Sequence, residues 1–258
     1  MPIDFADPAN RRTYSGRTAD ATWSAAMTGW VDPRGRTVAD IGCGGGVYSA
    51  AWLDLGAAAV VGVDSSEPLL ATAREDGARP GLSFVLGDAA ATGLPAGSVD
   101  VVFARALVHH LPDLGAAAAE AFRLLTPGGR YVVQDRTAAD VEQPPSPRHV
   151  RGWFFAVHPR LLAVEQARRP EPAAVTAAFT GAGFTELAEH TLWETRRVHP
   201  DREALLAEVR GRVGRSILHE LDDAELAELT GRMRAELPAG EPVVEQDRWT
   251  VWTATRPS

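Results

Sequence analysis

The sequence predicts an α/β protein built on a doubly wound, mostly parallel sheet with helices on both faces. Three observations support this fold class. Short apolar runs alternate along the chain with longer helix-like segments, which is the pattern of strand–helix–strand units. A glycine-rich turn follows the first apolar run at residues 37–46. The second apolar run ends in an acid, Asp64, about 20 residues after that turn.

The glycine-rich turn begins where the first predicted strand ends. Residues 37–46 read Thr-Val-Ala-Asp-Ile-Gly-Cys-Gly-Gly-Gly. Glycine tolerates positive φ and has no Cβ, so a ligand can lie directly on the backbone of such a turn. A helix-like run from Val47 to Leu55 follows, and the free N–H groups at the start of a helix favour an anionic ligand group. The turn therefore predicts a nucleotide or nucleoside site.

The glycine spacing does not fit the dinucleotide fingerprint G-x-G-x-x-G, because the third glycine would fall at Val47. The turn instead reads Asp-x-Gly-x-Gly-x-Gly from Asp40 to Gly46. An acid two residues before the first glycine would repel a pyrophosphate but would suit an ammonium group. This counts against a nicotinamide-dependent oxidoreductase, which stays as an alternative.

Further strands are predicted at residues 59–63, 82–86 and 98–104, then a helix at 113–125 and a fifth strand that ends at Asp135. Asp64 can accept hydrogen bonds from ribose hydroxyls. Asp64 and Ser65 can also cap the helix that starts near residue 67. Asp88 follows the third strand and can equally be a plain turn residue.

These motifs together resemble a known enzyme family. Asp40, Gly42, Gly44 and Gly46 match motif I of the class I S-adenosylmethionine-dependent methyltransferases. The His-His-Leu-Pro-Asp stretch at 109–113 and the Leu-x-Pro-Gly-Gly turn at 125–129 follow in the order found in the ubiquinone/menaquinone-biosynthesis-type small-molecule subgroup (methyltransferase type 11). The resemblance covers residues 37–135 and, more loosely, most of the chain. It implies a Rossmann-like, seven-stranded sheet in the order 3-2-1-4-5-7-6, with the last strand antiparallel and helical insertions over the carboxyl ends of the strands.

The resemblance implies S-adenosylmethionine as cofactor, S-adenosylhomocysteine as product and no metal. In this family the acid after the third strand contacts the adenine amino group, and the backbone of the next residue contacts the ring. A Tyr and an Arg before the first strand often close over the methionine end, although this segment can also be a frayed basic arm. The residues expected to hold the cofactor are Tyr14, Arg17, Asp40, Gly42, Cys43, Gly44, Gly46, Asp64, Ser65, Asp88, Ala89 and Arg105.

Two histidines are the candidates for catalysis. His109 and His110 follow the fourth strand, at the place that faces the methyl group in this fold. Histidine can remove a proton from a hydroxyl because its ordinary pKa lies near neutrality. Asp135 would lie beside the two rings and orient one of them. We predict His110 as the base and keep His109 as the alternative. In some relatives such a histidine only packs or forms hydrogen bonds.

The second half is expected to supply substrate recognition. Residues 136–150 are predicted as a loop and 151–162 as a helix-like apolar stretch. A helix at 172–182, a sixth strand at 184–196, a helical region at 201–237 and a last strand at 245–255 follow. Trp153 and Phe154 are expected either in the wall of an apolar pocket or in the core.

The chain is predicted as a single methyltransferase domain, 1–258. Its parts are an N-terminal helical segment at 1–36, a cofactor-binding core at 37–135, substrate-cap insertions at 136–170 and 197–240, and a last strand at 241–258.

Composition excludes several classes of function. The net charge is −8 and the arginines stand among acids, so nucleic acid is not expected as a substrate. The single Cys43 excludes a disulfide framework and a cysteine-ligated cluster. No apolar run is long enough to span a membrane, and the N-terminus has no basic region before an apolar one. We therefore expect a cytoplasmic protein without a membrane partner. Its oligomeric state is open, with a homodimer as one option.

The predicted function is the transfer of a methyl group from S-adenosylmethionine to a small metabolite. A hydroxyl acceptor with a histidine base is the favoured form. One alternative is an N- or C-methyltransferase that works by proximity. The other is a cyclase or binding protein on the same fold that transfers no methyl group.

Overall fold

The computed structural model describes residues 18–77 and 79–258, and in them seven strands form one sheet. The strands are β1 Thr37–Ile41, β2 Ala59–Asp64, β3 Leu82–Leu86, β4 Val99–Arg105, β5 Leu125–Asp135, β6 Thr185–His199 and β7 Val243–Thr255. Their order is β3-β2-β1-β4-β5-β7-β6. Neighbours among β1 to β5 pair in parallel, and β7 runs antiparallel to both β5 and β6. The predicted fold class, strand order and antiparallel last strand are confirmed.

The described helices cover both faces of this sheet. They are α1 Ala21–Trp30, α2 Val47–Asp54, α3 Glu67–Asp76, α4 Leu114–Leu124, α5 Ala138–Val141, α6 Arg151–Val157, α7 Arg160–Gln166, α8 Pro172–Ala182, α9 Arg202–Arg210 and α10 Asp223–Glu236. Successive strand residues point to opposite faces. Val101 and Phe103 of β4 therefore pack with α1 and α2, while Val102 of the same strand packs with α4 and α8. None of these helices is long and apolar enough to cross a membrane.

The hairpin formed by β6 and β7 projects beyond the rest of the sheet. Asp135, the last residue of β5, lies opposite Thr250 of β7. Residues 243–249 therefore pair only with β6 and extend past the carboxyl end of β5. Apart from the apolar clusters on the two sheet faces, a separate apolar cluster joins α6, α7, α9 and α10. It contains Phe154, Leu205 and Met233, together with Val243 of the hairpin. We call these helices, together with α5, the cap.

The cap differs from the prediction in three places. Residues 136–150 were expected as a loop but contain α5, which begins with a capping box between Thr137 and Asp140. The predicted helix at 151–162 is interrupted at His158, because the residue before a proline is disfavoured in the α region. The helical region at 201–237 is two helices separated by a 3-10 turn, Ser216–Glu220.

The break between α9 and α10 has local causes. Arg212 and Gly214 take positive φ, of 54° and 60°, which a right-handed helix does not contain. A new helix then starts at Asp222, whose side chain accepts the N–H of Glu225 while the Glu225 side chain accepts the N–H of Asp222. Both ends are therefore encoded locally.

Strand ends also shift from their predicted places. β6 continues past residue 196 to His199, and β7 starts at Val243 instead of Glu245. The two strands extend together because each provides the other's backbone partners, His199 opposite Val243. At the N-terminus, α1 lies within the predicted helical segment, whereas Tyr14 and Arg17 lie outside the described residues.

Candidate active site

The glycine turn after β1 has the backbone conformation that its residues suggest. Gly42, Gly44 and Gly46 have φ of 72°, 54° and 78°. The N–H groups of Gly42 and Cys43 both donate to the Val63 carbonyl, at 2.7 and 3.1 Å. These bonds fasten the turn to the end of β2, and the Cys43 sulfur faces Gly62 of that strand. Burial raises the pKa of the Cys43 thiol well above its ordinary value, which favours the uncharged thiol in this position.

The three glycines of the turn meet different surroundings. A Cβ at Gly42 would lie 2.8 Å from the Leu107 side chain, and one at Gly46 would lie 2.6 Å from Phe84. A Cβ at Gly44 would meet no atom within 4 Å. Packing within the protein therefore accounts for the small residue at the two outer positions. At Gly44 the backbone faces open space in which a ligand can lie against it.

Asp64 at the end of β2 is held beside this open space. Its Oδ2 accepts the Gly44 N–H at 2.8 Å, and its Oδ1 accepts the Ser66 N–H at 2.8 Å. The helix that follows is capped by Ser66, whose hydroxyl accepts the Leu69 N–H. The prediction that Asp64 or Ser65 caps α3 is therefore wrong. The Asp64 carboxylate instead belongs to the turn, with lone pairs left for a ligand hydroxyl.

Asp40 lies beneath the turn. Its side chain is 2% exposed and accepts the Ser49 hydroxyl at 2.5 Å. This bond joins β1 to α2, the two elements on either side of the turn. Burial raises the pKa of Asp40 to about 7, even though the Ser49 bond opposes the change, and the negative charge of Asp64 acts in the same direction as burial.

The turn after β3 completes this edge of the sheet. The Gly87 N–H donates to the Asp64 carbonyl at 3.0 Å, so the turn stays next to the end of β2. Asp88 is exposed and accepts the Ala90 N–H at 2.8 Å. Ala89 is partly buried and lines a small apolar cavity with Leu107. The structure thus brings the predicted residues after β1, β2 and β3 to one edge.

His109 and Asp135 form a pair at the ends of β4 and β5. The His109 Nδ1 lies 2.9 Å from both carboxylate oxygens of Asp135, which is fully buried. Asp135 also accepts the backbone N–H groups of His109, at 3.3 Å, and of Arg136, at 2.7 Å. Burial alone would raise the pKa of Asp135, but the His109 hydrogen bond and the charges of His109 and Arg169 hold it below its usual range. The carboxylate is therefore ionised at neutral pH.

An ionised Asp135 determines which ring nitrogen of neutral His109 carries the proton. A carboxylate only accepts hydrogen bonds, so Nδ1 is the donor and Nε2 keeps its lone pair. The His109 side chain is 13% exposed, and Nε2 forms no hydrogen bond within the described part of the chain. The pair therefore presents an oriented proton acceptor.

His110 has a different environment. Its ring centre lies 4.0 Å from that of His109. Partial burial lowers the pKa of His110 to about 4, and the neighbouring His109 and Arg169 act in the same direction. We predicted His110 as the base that Asp135 orients, and the structure places His109 in the hydrogen-bonded position instead. Sequence reasoning could not separate two adjacent histidines on a turn, Val108–His110, whose backbone geometry it did not know.

Arg105, predicted to bind the cofactor, is engaged within the protein. Its Nη2 donates to Glu194 at 2.7 Å, and its guanidinium carbon lies 4.2 Å from the ring centres of both Tyr48 and Trp249. A cavity lies beside it, between the ends of β4 and β5 and the projecting hairpin.

The two aromatic residues predicted for the substrate pocket lie in or against the cap core. Phe154 is fully buried in the cap cluster, so its prediction as a pocket wall is wrong. Trp153 is partly buried against the same cluster, with the Arg232 guanidinium 5.9 Å from its ring centre. No three His, Cys, Asp or Glu side chains of residues 18–77 and 79–258 are grouped as a metal site.

Several charged residues of this region were missed by sequence reasoning. Glu194 and Asp247 lie directly opposite each other in the β6–β7 hairpin and are almost fully buried. Arg136 immediately follows the predicted Asp135, and that adjacency was the one signal available. The arginines at 136, 151 and 169 form buried ion pairs, although the sequence shows them only as charges scattered among acids.

Comparison with known proteins identifies the family. The family model described as "Methyltransferase domain" matches residues 39–133. Nocamycin O-methyltransferase of Saccharothrix syringae is 36% identical over an alignment of 202 residues, which covers 68% of this chain and 69% of that protein. Trans-aconitate 2-methyltransferase of Azoarcus sp. strain BH72 is 33% identical over 213 residues, 80% and 79% of the two chains. Phosphoethanolamine N-methyltransferase 2 of Haemonchus contortus, solved with S-adenosyl-L-methionine, superimposes with a TM-score of 0.62 at 18% identity, covering 99% of this chain and 60% of that one.

The chain therefore belongs to the class I S-adenosylmethionine-dependent methyltransferases and is an enzyme of that class. The residues at the glycine turn fit the cofactor. Gly44 leaves its backbone open where a Cβ would project, and Asp64 presents an oriented carboxylate beside it.

Proposed function

We propose that this enzyme methylates a hydroxyl group of a small molecule, with His109 as the general base and Asp135 as the residue that orients it. The observation that carries the proposal is the contact of the His109 Nδ1 with the buried Asp135 carboxylate at 2.9 Å. A base held in this way keeps the Nε2 lone pair available for a proton, at the ends of β4 and β5. That is the edge at which open α/β sheets bind their ligands.

The protein residues have separate tasks in this reaction. When bound, S-adenosylmethionine supplies an electrophilic methyl group on a sulfonium sulfur. Asp64 would accept hydrogen bonds from the ribose hydroxyls, and the open backbone at Gly44 leaves room for the ligand. The turn at Asp88 and Ala89 would provide the adenine contacts. These residues align the reactants, which lowers the entropic part of the barrier.

His109 handles the proton. During methyl transfer, Nε2 of His109 would accept the proton that the acceptor hydroxyl loses. The imidazolium that results is stabilised by the ionised Asp135 beside its Nδ1–H. His110 is the weaker candidate, since an imidazole with a pKa of about 4 has little affinity for the proton.

The relatives support a small-molecule acceptor. Two relatives, each aligned with this chain over more than two thirds of its length, are named for nocamycin and for trans-aconitate. Both names describe methylation of small molecules, and the first specifies oxygen as the acceptor atom.

The test compares single variants in methyl transfer. The acceptor is first found by mass spectrometry of metabolite mixtures incubated with deuterated S-adenosylmethionine. His109→Ala should then lower kcat by about 10²- to 10⁴-fold with unchanged affinity for S-adenosylhomocysteine. Asp135→Asn should cost less, because the ring remains, and His110→Ala should cost the least. Full turnover in His109→Ala would contradict the proposal and favour an N- or C-methyltransferase that works by proximity.

A further inference from the structure

The cavity beside Arg105 lies at the same edge of the sheet, and nothing above assigns it a ligand. About 310 Å³ of space, partly open to solvent, lies next to Tyr48, Arg105, Arg136, Asp247 and Trp249. It lies on the sheet face that carries α1 and α2. Neither the glycine turn nor the histidine pair contributes to its lining. Its walls are charged and aromatic.

Two arginines approach the same indole ring in this cavity. The guanidinium carbons of Arg105 and Arg136 lie 4.2 and 4.1 Å from the ring centre of Trp249. Arg105 has its own counter-charge in Glu194, at 2.7 Å. The second Glu194 oxygen accepts the Tyr48 hydroxyl. The Arg105 side of the cavity is therefore neutralised within the protein.

The Arg136 side is incompletely hydrogen-bonded. Arg136 donates one side-chain hydrogen bond, from Nη2 to Asp247 at 2.6 Å. The other oxygen of Asp247 accepts the Nε–H of Arg151 at 3.2 Å, and Arg151 also pairs with Glu165. The Nε–H of Arg136 is buried and has no partner among the described residues. Burial and the nearby charge of Arg151 lower the pKa of Arg136 to about 10, although Asp247 opposes them.

A buried guanidinium with unused N–H groups is costly unless a ligand completes its bonding. Its planar fork matches the two oxygens of a carboxylate better than any neutral group. Arg136 is also placed next to the proposed base. Its backbone N–H donates to Asp135, and its side chain lies on the opposite sheet face from the His109 pair. The two side chains therefore flank the same strand end, that of β5.

We propose that Arg136, with Arg105 beside it, binds a carboxylate of the methyl acceptor in this cavity. The substrate class is then a small hydroxylated carboxylic acid. This inference rests on the proposed function, and it adds the second recognition point that the histidine pair lacks. The name of the trans-aconitate relative agrees with a carboxylate-bearing substrate.

The test observes the Arg136 Nε–H resonance by ¹H–¹⁵N NMR in the full-length protein. The resonance is identified by its absence in Arg136→Gln. The protein is saturated with S-adenosylhomocysteine, so that the cofactor's own carboxylate is already in place. Acetate is then titrated as the probe at constant ionic strength, with acetamide as its neutral counterpart. We expect acetate to move the resonance and acetamide to leave it unchanged.

A second, independent measurement follows the chemical shift of the Trp249 indole N–H during the same acetate titration, in the wild type and in variants. Arg136→Gln should weaken the acetate response about tenfold or more, since a charge-assisted bond is lost. Arg130→Gln is the matched control, because Arg130 lies at the far end of the pairing between β5 and β7 and its Nε is also buried without a described partner. Its acetate response should equal that of the wild type.

Three results would overturn the inference. If acetate does not move the Arg136 resonance, Arg136 does not bind an anion in this cavity. The second result is that S-adenosylhomocysteine alone moves the resonance and binds more weakly to Arg136→Gln. The cavity would then hold the cofactor's carboxylate and not that of the acceptor. A wild-type protein that does not bind S-adenosylhomocysteine by calorimetry contradicts the proposed function as well. The first two results leave the proposed function intact, so the two failures can be distinguished.

Discussion

At the scale of single residues, the glycine turn shows that one residue type can serve two purposes. Gly42 and Gly46 are small because Leu107 and Phe84 occupy the space where a Cβ would be. Gly44 has no such neighbour, so its positive φ and the ligand proposed to lie on its backbone are the two causes that favour glycine there. Substitution can separate these two causes.

Gly44→Val should abolish cofactor binding while the sheet stays folded. The new side chain would fill the open space beside Asp64, and its φ of 54° would add strain of about 1–2 kcal/mol. Gly128→Val is the matched control, because Gly128 has a φ of 78° and an equally open Cβ position in the turn within β5. Calorimetry with S-adenosylhomocysteine and urea unfolding should show similar destabilisation in both variants and lost binding only in Gly44→Val. Unchanged binding in Gly44→Val would place the ligand elsewhere.

Asp40 should make the protein less stable as pH rises from about 4 towards 7. The pKa of Asp40 is about 7 in the folded state but about 3.9 in an unfolded chain. The folded state binds more protons between these values, so the free energy of unfolding falls through this window, by up to roughly 4 kcal/mol. Asp40→Asn has no such titration, and its free energy of unfolding should fall less between pH 5 and pH 8. Equal slopes for both proteins would show that Asp40 is ionised at both pH values.

At the scale of elements, α1 is fastened across the sheet by polar contacts as well as by its apolar face. The Asp20 carboxylate caps the helix by accepting the Trp23 N–H at 2.9 Å and accepts the Thr195 N–H of β6 at 3.0 Å. The Trp23 indole donates to Gln134 of β5 at 3.1 Å. The helix thus holds the ends of β5 and β6 together next to the proposed acceptor cavity.

Asp20→Ala should destabilise the protein more than the loss of an ordinary helix cap. The variant loses the α1 cap and also leaves the Thr195 N–H unpaired, so we expect about 2–3 kcal/mol in total. Asp113→Ala is the control, because Asp113 caps α4 through the Ala116 N–H alone, and it should cost about 1 kcal/mol. Urea unfolding at pH 7 measures both. Equal losses would mean that the bond to β6 contributes nothing.

At the scale of the whole molecule, buried ion pairs join the cap to the hairpin and the sheet. Glu165 of α7 pairs with Arg151 and Arg169, and Asp247 of β7 pairs with Arg151 and Arg136. Opposing the effect of burial, these arginines hold the pKa of Glu165 at about 2 and the pKa of Asp247 well below its usual range. Glu245 has a pKa of about 2 for the same reason, with Arg215 as its main counter-charge.

This network should make the folded protein sensitive to acid. A carboxylate whose pKa is lower in the folded state adds stability above its unfolded pKa, and that stability is lost as pH falls from about 4 to 2. Urea unfolding at pH 7, 4 and 3 should show a steep loss between the last two values. Glu245→Gln should flatten this loss. Asp32→Asn should not, because Asp32 is paired with Arg34 on the exposed surface and such pairs contribute little. A loss of the same steepness in Glu245→Gln would contradict this role.

The sequence by itself determined the sheet and the cofactor edge. Short apolar runs predict β1 to β5, and the glycines and acids at strand ends predict the residues around Gly44 and Asp64. These signals are local, and parallel strands with short connections bring their carboxyl ends to one edge. The broken helix at 201–237 also had a local signal, in Gly214 and the Asp222–Glu225 capping box.

The tertiary structure alone decided which charged side chains meet. The His109 ring contacts Asp135 across 26 positions of sequence, because the turn after β4 places this ring beside the end of β5. Arg136 meets Asp247 across 111 positions, because the register of β5, β7 and β6 places the hairpin past the end of β5. A partner of a buried charge is set by register and by the packing of distant elements, and neither quantity can be read from the residues near that charge.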